Sequence, residues 1–239
     1  MDKTINPWRK DFPLLQNDPV MYLDNAATAQ RPACVIEAVK AFYEQANANP
    51  LRGFYPLSLK ATAMYEDARK TVQRFIHAPS ERCVIFTRNT TESLNLVAFS
   101  YALHHVKAGD EIVVSIMEHH SNLLPWQMVA SQTGAILRYM DCEPDGTLTD
   151  ETIEQTIGEK TKLVAIGHVS NVLGCVNPVK KIIDRAHAVG AVAVVHVVGR
   201  IQRLTRNRIR AEIHRAAFQR GGHRIQQGAP PQAAAVGYG

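Results

Sequence analysis

The run from Cys83 to Val106 (CVIFTRNTTESLNLVAFSYALHHV) constrains this chain more than any other stretch, because it reads as a strand, a turn and a helix in succession. Cys83-Val84-Ile85-Phe86 is a short apolar run of the kind a buried parallel strand needs. Asn89 and Glu92 have capping-box spacing, so Asn89 can accept from the first orphan amides while Glu92 reaches back. Leu94, Val97, Ala98 and Tyr101 then recur at helical spacing and give one apolar face. Thr90 and Thr91 fall in the first turn, with hydroxyls beside unpaired N–H groups at the positive end of the dipole. That geometry receives a phosphate or another anion. An ordinary capped helix is the first reading of such a segment, and an anion site the second.

From the start of the chain, Val20-Met21-Tyr22-Leu23 reads as a short strand ending in Asp24-Asn25-Ala26-Ala27-Thr28, small and turn-forming residues that allow close backbone approach. Pro32 can begin a helix with Val35, Val39 and Phe42 on one face. Residues 47–56 (NANPLRGFYP) read as a loop, followed by a helix from Leu57 to Phe75 whose apolar line is Met64, Ala68 and Val72. Beyond residue 106, Glu111–Ser115 is a strand and leads directly into Glu118-His119-His120-Ser121-Asn122. Ser121–Ser131 is a helix, 135–140 a strand, Leu148–Ile157 a short helix and 163–167 a buried strand leading into Asn171. Pro178 starts a helix with Val179, Ile182, Ile183 and Ala186 inward, stopped by Gly190, and 192–195 is the last strand. Strands alternating with helices through residues 83–198, with no internal repeat, imply an α/β fold: an open, mostly parallel sheet with helices on both faces. Side chains at the carboxyl ends of such strands line the ligand crevice. Two adjacent histidines point apart and lack a third ligand at sensible spacing, which disfavours a metal. One of them in a ligand pocket is preferred to a satisfied structural pair, since an imidazole can stack on a planar cofactor or move protons near neutral pH.

Charge separates the chain into two parts. Eight arginines and one acid lie between Gly199 and Gly239, so the net +5 of the whole chain comes from this tail and residues 1–198 are slightly acidic. A nucleic-acid binder would spread its cations over a folded face, and that function is discounted. No stretch is apolar and long enough to span a bilayer. Cys34, Cys83, Cys142 and Cys175 form no CxxC pair and read as free thiols of a cytoplasmic protein, with no zinc signal.

No GxGxxG follows a strand and no GxxxxGK[ST] is present, which weighs against dinucleotide and nucleoside-triphosphate sites. A phosphate held at Thr90/Thr91, a flat ring at a histidine and a polar group at a later strand end suit pyridoxal 5'-phosphate. At these residues the chain resembles the group II cysteine desulfurases (selenocysteine lyases) of the class V aminotransferases, fold-type I pyridoxal-phosphate enzymes. The segments that carry the resemblance are YLDNAATAQRP (22–32), RNTTESLNLVA (88–98), GDEIVVSIMEHHSNLLPWQM (109–128), SNVLG (170–174) and NPVKKIIDRAHAVGA (177–191). The resemblance implies a pyridoxal-phosphate-dependent transferase large domain, here incomplete. It gives Thr91, with Thr90, to the cofactor phosphate. His119 stacks on the ring and acts in proton transfer, and Asn171 bonds the phenolic oxygen. Asn25, Ala26, Ala27, Arg52 and Gly53 line the substrate side. It further implies L-cysteine or L-selenocysteine as substrate, a homodimer, and sulfur passed as an enzyme persulfide to an acceptor protein for iron–sulfur cluster assembly. Residues 1–60 would form an N-terminal arm and helices beside the active site, 61–198 the partial cofactor domain, and 199–239 an aberrant tail.

Three departures from the family pattern bear on activity. His196 stands where the family's aspartate pairs with the pyridine nitrogen. The nearest match to the Schiff-base lysine motif is Gly222-His223-Arg224, and no lysine follows Lys181; arginine is no nucleophile for an aldehyde. None of the four cysteines matches the one that becomes the persulfide. The tail reads as translated out of frame, the alternative being a genuine divergent C-terminus. The chain as given is then a catalytically incomplete, aggregation-prone desulfurase. The alternatives are another class V enzyme, such as an aminotransferase or an isopenicillin-epimerase-like protein, and a non-catalytic fragment that binds a partner.

Overall fold

The structure, a computed structural model, describes residues 7–18, 20–25 and 27–197 together with the backbone of Ala234–Gly237. Two compact units divide after Glu81, whereas the boundary expected at residue 60 lies inside a helix.

The first unit holds α1 (Pro13–Asn17), α2 (Ala33–Gln45) and α3 (Pro56–Ile76). Proline opens α1 and α3 at the position where a missing N–H costs nothing. Residues 20–23, expected as a strand, are irregular, with Met21 84% and Leu23 89% exposed. β-branched and aromatic residues favour strands only where a neighbouring strand and a buried face are supplied, and here neither is found among the described residues. The turn that follows is closed locally: the Tyr22 hydroxyl donates to the carbonyls of Thr28 (2.7 Å) and Asp24 (3.2 Å), and the Thr28 N–H to Asp24 O (3.1 Å). α2 buries no residue and α3 buries only Ser58 and Ala61, so Met64 and Ala68 are exposed rather than forming a covered apolar line. The loop before α3 is stitched to its first turns by Ser58 Oγ–H to Asn49 O and by the Leu51 N–H to Thr62 Oγ1. Gly53 is required there, since a Cβ would meet Ser58 Oγ at 2.4 Å.

The second unit contains β1 (Val84–Thr87), α4 (Thr90–Val97), α5 (Leu103–His105), β2 (Glu111–Ser115), α6 (Leu124–Thr133), β3 (Ile136–Met140), α7 (Asp150–Thr156), β4 (Thr161–Gly167), α8 (Val179–Ala188), β5 (Val192–His196) and β6 (Ala234–Gly237). β2 to β5 form one all-parallel sheet in the order β3-β2-β4-β5. Side chains alternate across it as the pleat requires. Ile112, Val114, Leu163 and Ala165 face a core with Leu94, Ala98, Trp126 and Val129. Val113, Val164 and Ile166 face a second core with Ile153, Ile157, Val179, Ile182 and Ala186. Helices therefore cover both faces, as the alternation of elements implies. The chain turns one way from β2 to β3 and lies on the other side of β2 at β4, which makes the carboxyl ends of β2 and β4 a topological switch point.

Two features differ from the reading of the sequence. β1 lies outside the sheet and pairs in parallel with β6, so four residues of the tail are extended even though no strand was expected there; the rest of the tail lies outside the described residues. The helix after Thr90 is not uniformly α: Ala98–Ala102 is a π turn. Its buried positions, Leu94, Ala98, Ala102 and Val106, are four apart. Each four-residue step overshoots an α-helical turn by about 40°, and the wider π turn brings the row back onto one face. Tyr101, expected on that face, instead stacks on His105 with ring centroids 4.1 Å apart.

Candidate active site

The start of α4 is built by short-range contacts from β1. Asn89 Oδ1 accepts the Glu92 N–H at 2.9 Å, as its spacing implies. The Glu92 carboxylate reaches one residue further back than a capping box does, accepting the Arg88 N–H (2.7 Å) and Arg88 Nε–H (3.2 Å). Those bonds, the backbone one foremost, hold the Glu92 carboxyl below its ordinary range. Thr87 and Ser93 hydroxyls meet at 2.6 Å and tie the end of β1 to the helix. Asn89 takes the Glu92 amide, and no hydrogen bond from another described residue takes the Thr90 and Thr91 amides and hydroxyls at the head of α4, where Thr90 is half-buried and Thr91 exposed. α4 packs against the 3-10 turn His120–Asn122, which brings the helix to the neighbourhood of the loop after β2.

That loop carries His119, exposed and extended (φ −63°, ψ 148°), as the cap of the His120–Asn122 turn. His119 Nδ1 accepts the Ser121 N–H at 3.1 Å and lies 2.8 Å from Ser121 Oγ. A backbone N–H can only donate, so Nδ1 carries the lone pair and the neutral ring bears its proton on Nε2. The His120 ring meets that of His119 edge-on, at 68° with centroids 6.1 Å apart.

Asn171 follows β4 on an exposed loop whose base is a Val169–Val176 bridge. Ser170 Oγ accepts the Val172 and Leu173 amides, and Gly174 (φ +71°) reverses the chain. The turn at Gly146 (φ +83°) abuts this loop so closely that a Cβ there would meet Leu173 Cδ1 at 3.1 Å and Cys175 Sγ at 3.2 Å. His196 closes β5; its carbonyl accepts the His168 N–H at 2.8 Å and its side chain is 7% exposed. Burial, and next the electrostatic influence of His119, push the His196 pKa down and favour its neutral ring.

Between the ends of β2 and β4 lies a polar group that the reading of the sequence did not single out. Glu118 Oε1 accepts from Ser115 Oγ (2.7 Å) and from the Gly167 N–H (2.8 Å), and Oε2 accepts from Asn122 Nδ2 (2.7 Å). Asn122 Oδ1 in turn accepts the Trp126 Nε1–H at 3.0 Å. Glu118, Asn122 and Trp126 stand four residues apart, a spacing that was available in the sequence.

His119 and Asn171 thus follow the carboxyl ends of β2 and β4, and His196 is the last residue of β5, while α4, which opens on Thr90 and Thr91, packs against the turn that His119 caps. Asn25, Ala27, Arg52 and Gly53 belong to the first unit, Arg52 on the exposed loop before α3. Ala26 and Arg224 lie outside the described residues. Cys34 is exposed, Cys83 buried, and Cys142 and Cys175 half-buried, all as free thiols. No helix among the described residues is long and apolar enough to cross a membrane. The side chains at these positions are hydroxyls, an imidazole and an amide, donor types that suit a phosphate, a ring face and a phenolic oxygen, whereas His196 presents an imidazole in place of a carboxylate.

Comparison with known proteins adds an independent line. The family described as "Aminotransferase class-V" matches residues 21–223. A Halalkalibacterium halodurans protein named "Probable cysteine desulfurase" is 52% identical over 191 residues, covering 78% of this chain and 47% of its own. The "Cysteine desulfurase" of Shigella sonnei is 46% identical over 199 residues, covering 82% and 49%. The apo structure of the cysteine desulfurase from Thermococcus onnurineus NA1 superposes with a TM-score of 0.73 at 43% identity, over 78% of this chain and 46% of that one. The chain spans about half the length of the curated relatives it matches.

Proposed function

Since the chain belongs to the class V aminotransferase family, we propose that it descends from a pyridoxal-phosphate-dependent cysteine desulfurase and keeps the cofactor-binding half of that site. One observation carries this: α4, which opens on Thr90 and Thr91, packs against the His120–Asn122 turn that His119 caps, next to the switch point of a parallel sheet. The amides and hydroxyls of Thr90 and Thr91 would hold the phosphate, helped by the helix dipole. His119 would lie on the ring face, its Nε2–H free to donate because Nδ1 is engaged by Ser121. Asn171 would donate to the phenolic oxygen. When bound, pyridoxal phosphate supplies an electron sink that stabilises negative charge at the substrate Cα.

The names of the relatives support L-cysteine as the ancestral substrate; release of alanine and passage of sulfur to an acceptor for iron–sulfur cluster assembly would follow from the family resemblance. In this chain His196, neutral and buried, cannot act as the anion that keeps a ring nitrogen protonated. The nearest match to the family's covalent-anchoring position, Gly222-His223-Arg224, also holds an arginine in place of the lysine. We therefore assign reversible cofactor binding without turnover, in the cytoplasm. The test is to titrate the full chain with pyridoxal phosphate and assay alanine from L-cysteine. Binding weakened by Thr91→Ala and by His119→Ala, with no alanine formed, is expected. Steady alanine production would overturn the assignment of an incomplete site, and absence of binding would overturn the site itself.

A further inference from the structure

We propose that Glu118 is a positioning residue, which sets the orientation of His119 by clamping the loop after β2 to the end of β4. The inference rests on the function proposed above only for what His119 is used for; the clamp itself follows from the contacts.

Both carboxylate oxygens of Glu118 are occupied. Oε1 takes two donors, one from its own strand end (Ser115 Oγ, 2.7 Å) and one from the neighbouring strand (the Gly167 N–H, 2.8 Å). Oε2 takes Asn122 Nδ2 at 2.7 Å. None of the described ion pairs includes Glu118. A carboxylate that accepts from three neutral protein donors, with both oxygens engaged, acts first as a structural acceptor. Gly167 permits the approach, because a Cβ there would stand 3.1 Å from Oε2.

The contacts make a ring around His119. Glu118 precedes it, Asn122 follows three residues later, and their side chains bond across the turn. Inside that ring the Ser121 N–H fixes Nδ1 of the imidazole. The ring is anchored on both sides: Trp126, fully buried, holds Asn122, and Asn177 Nδ2 donates to the Gly167 carbonyl at 2.7 Å. Asn177 lies at the foot of the loop that carries Asn171. One carboxylate thus couples the two loops at the switch point, and the Ser121 bond within it fixes the tautomer of His119.

A polarity swap tests this. Glu118→Gln alone sets two amide NH2 groups against each other at residues 118 and 122. Glu118→Gln with Asn122→Asp restores each contact with donor and acceptor exchanged, since the carboxylate introduced at position 122 can still accept from Trp126. Ring nitrogen chemical shifts of His119, measured by NMR on the full chain above the His titration range, report the tautomer. The unmodified chain is expected to show the Nε2–H form. Glu118→Gln should give a mixture of tautomers and weaken pyridoxal phosphate binding about tenfold, and the double variant should restore both. Unchanged His119 shifts in Glu118→Gln would overturn the proposal, as would a folded double variant with altered shifts. Should Glu118→Gln fail to fold, the double variant decides: folded with the original shifts supports the clamp, and unfolded refutes it. A chain that binds no cofactor at all would sink the proposed function, while the shifts, which need no cofactor, would still judge Glu118.

Discussion

At the carboxyl end of β5 the buried His196 imidazole is held neutral, and this couples folding to pH. Its folded pKa lies below the ordinary value of 6.5, so the unfolded chain binds the proton more readily. The stabilising contribution is therefore complete above about pH 6.5. It falls as the pH drops below that value and levels off once His196 itself protonates. His196→Gln is expected to flatten this part of the curve, read as a smaller loss of the urea midpoint between pH 7 and pH 5. An unchanged slope would assign the acid sensitivity elsewhere. Gly146 gives a second residue-scale prediction. At φ +83° any side chain is strained, and the Cβ would also press on Leu173 and Cys175. Gly146→Ala should cost about 1–2 kcal/mol, seen as a lowered thermal midpoint. Full retention of stability would mean the turn relaxes freely away from the Asn171 loop.

Among the elements, those of residues 84–196 were the most legible in the sequence. Runs such as Leu163–Ile166 are apolar on both faces because the strand is buried on both, and α8 declares its buried side through Val179, Ile182 and Ala186. Residues 20–23 misled because an apolar run with a β-branched and an aromatic residue describes a fit to a pleated surface, and a lone segment has no such surface. The Met64/Ala68/Val72 row misled for a related reason: helical periodicity identifies an apolar stripe but not whether anything covers it. Glu118 escaped notice because a carboxylate beside two histidines draws attention to the histidines, and its partners at Ser115 and Gly167 are set by the pairing of β2 with β4. The cap at Asn89 was readable, since its partner is three residues away. Asn89→Ala should cost about 0.5–2 kcal/mol, measured by chemical denaturation. An effect below that range would mean the Glu92–Arg88 bonds alone hold the helix start.

Across the whole molecule, apolar surface is the property with the largest consequence. Val35, Ile36, Val39 and Tyr43 on α2 are exposed, as are Met64 and Phe75 on α3 and, in the second unit, Val172, Leu173 and Val176. Contiguous apolar faces of this kind favour association. The chain is expected to bind a hydrophobic dye in its native state and to sediment above its monomer mass in a concentration-dependent way. A dye-silent monomer with one sharp unfolding transition would contradict this.

The two ladder systems of the second unit differ in another respect, the length of chain each must close. The registers of β2 to β5 join residues 25 to 51 positions apart, whereas Val84 and Ala234 are 150 apart. Loop closure grows with the logarithm of length and disfavours the longer one by about 1–1.5 kcal/mol. During synthesis on the ribosome the disparity is sharper, since the four-stranded sheet has all its partners once His196 has left the exit tunnel. β1, although made first, must wait for residues near 234. Thr90 and Thr91 hang on β1, and His119 and Asn171 on the sheet. The nascent chain would therefore fix the sheet that carries His119 and Asn171 before β1, which leads into Thr90 and Thr91, gains its strand partner.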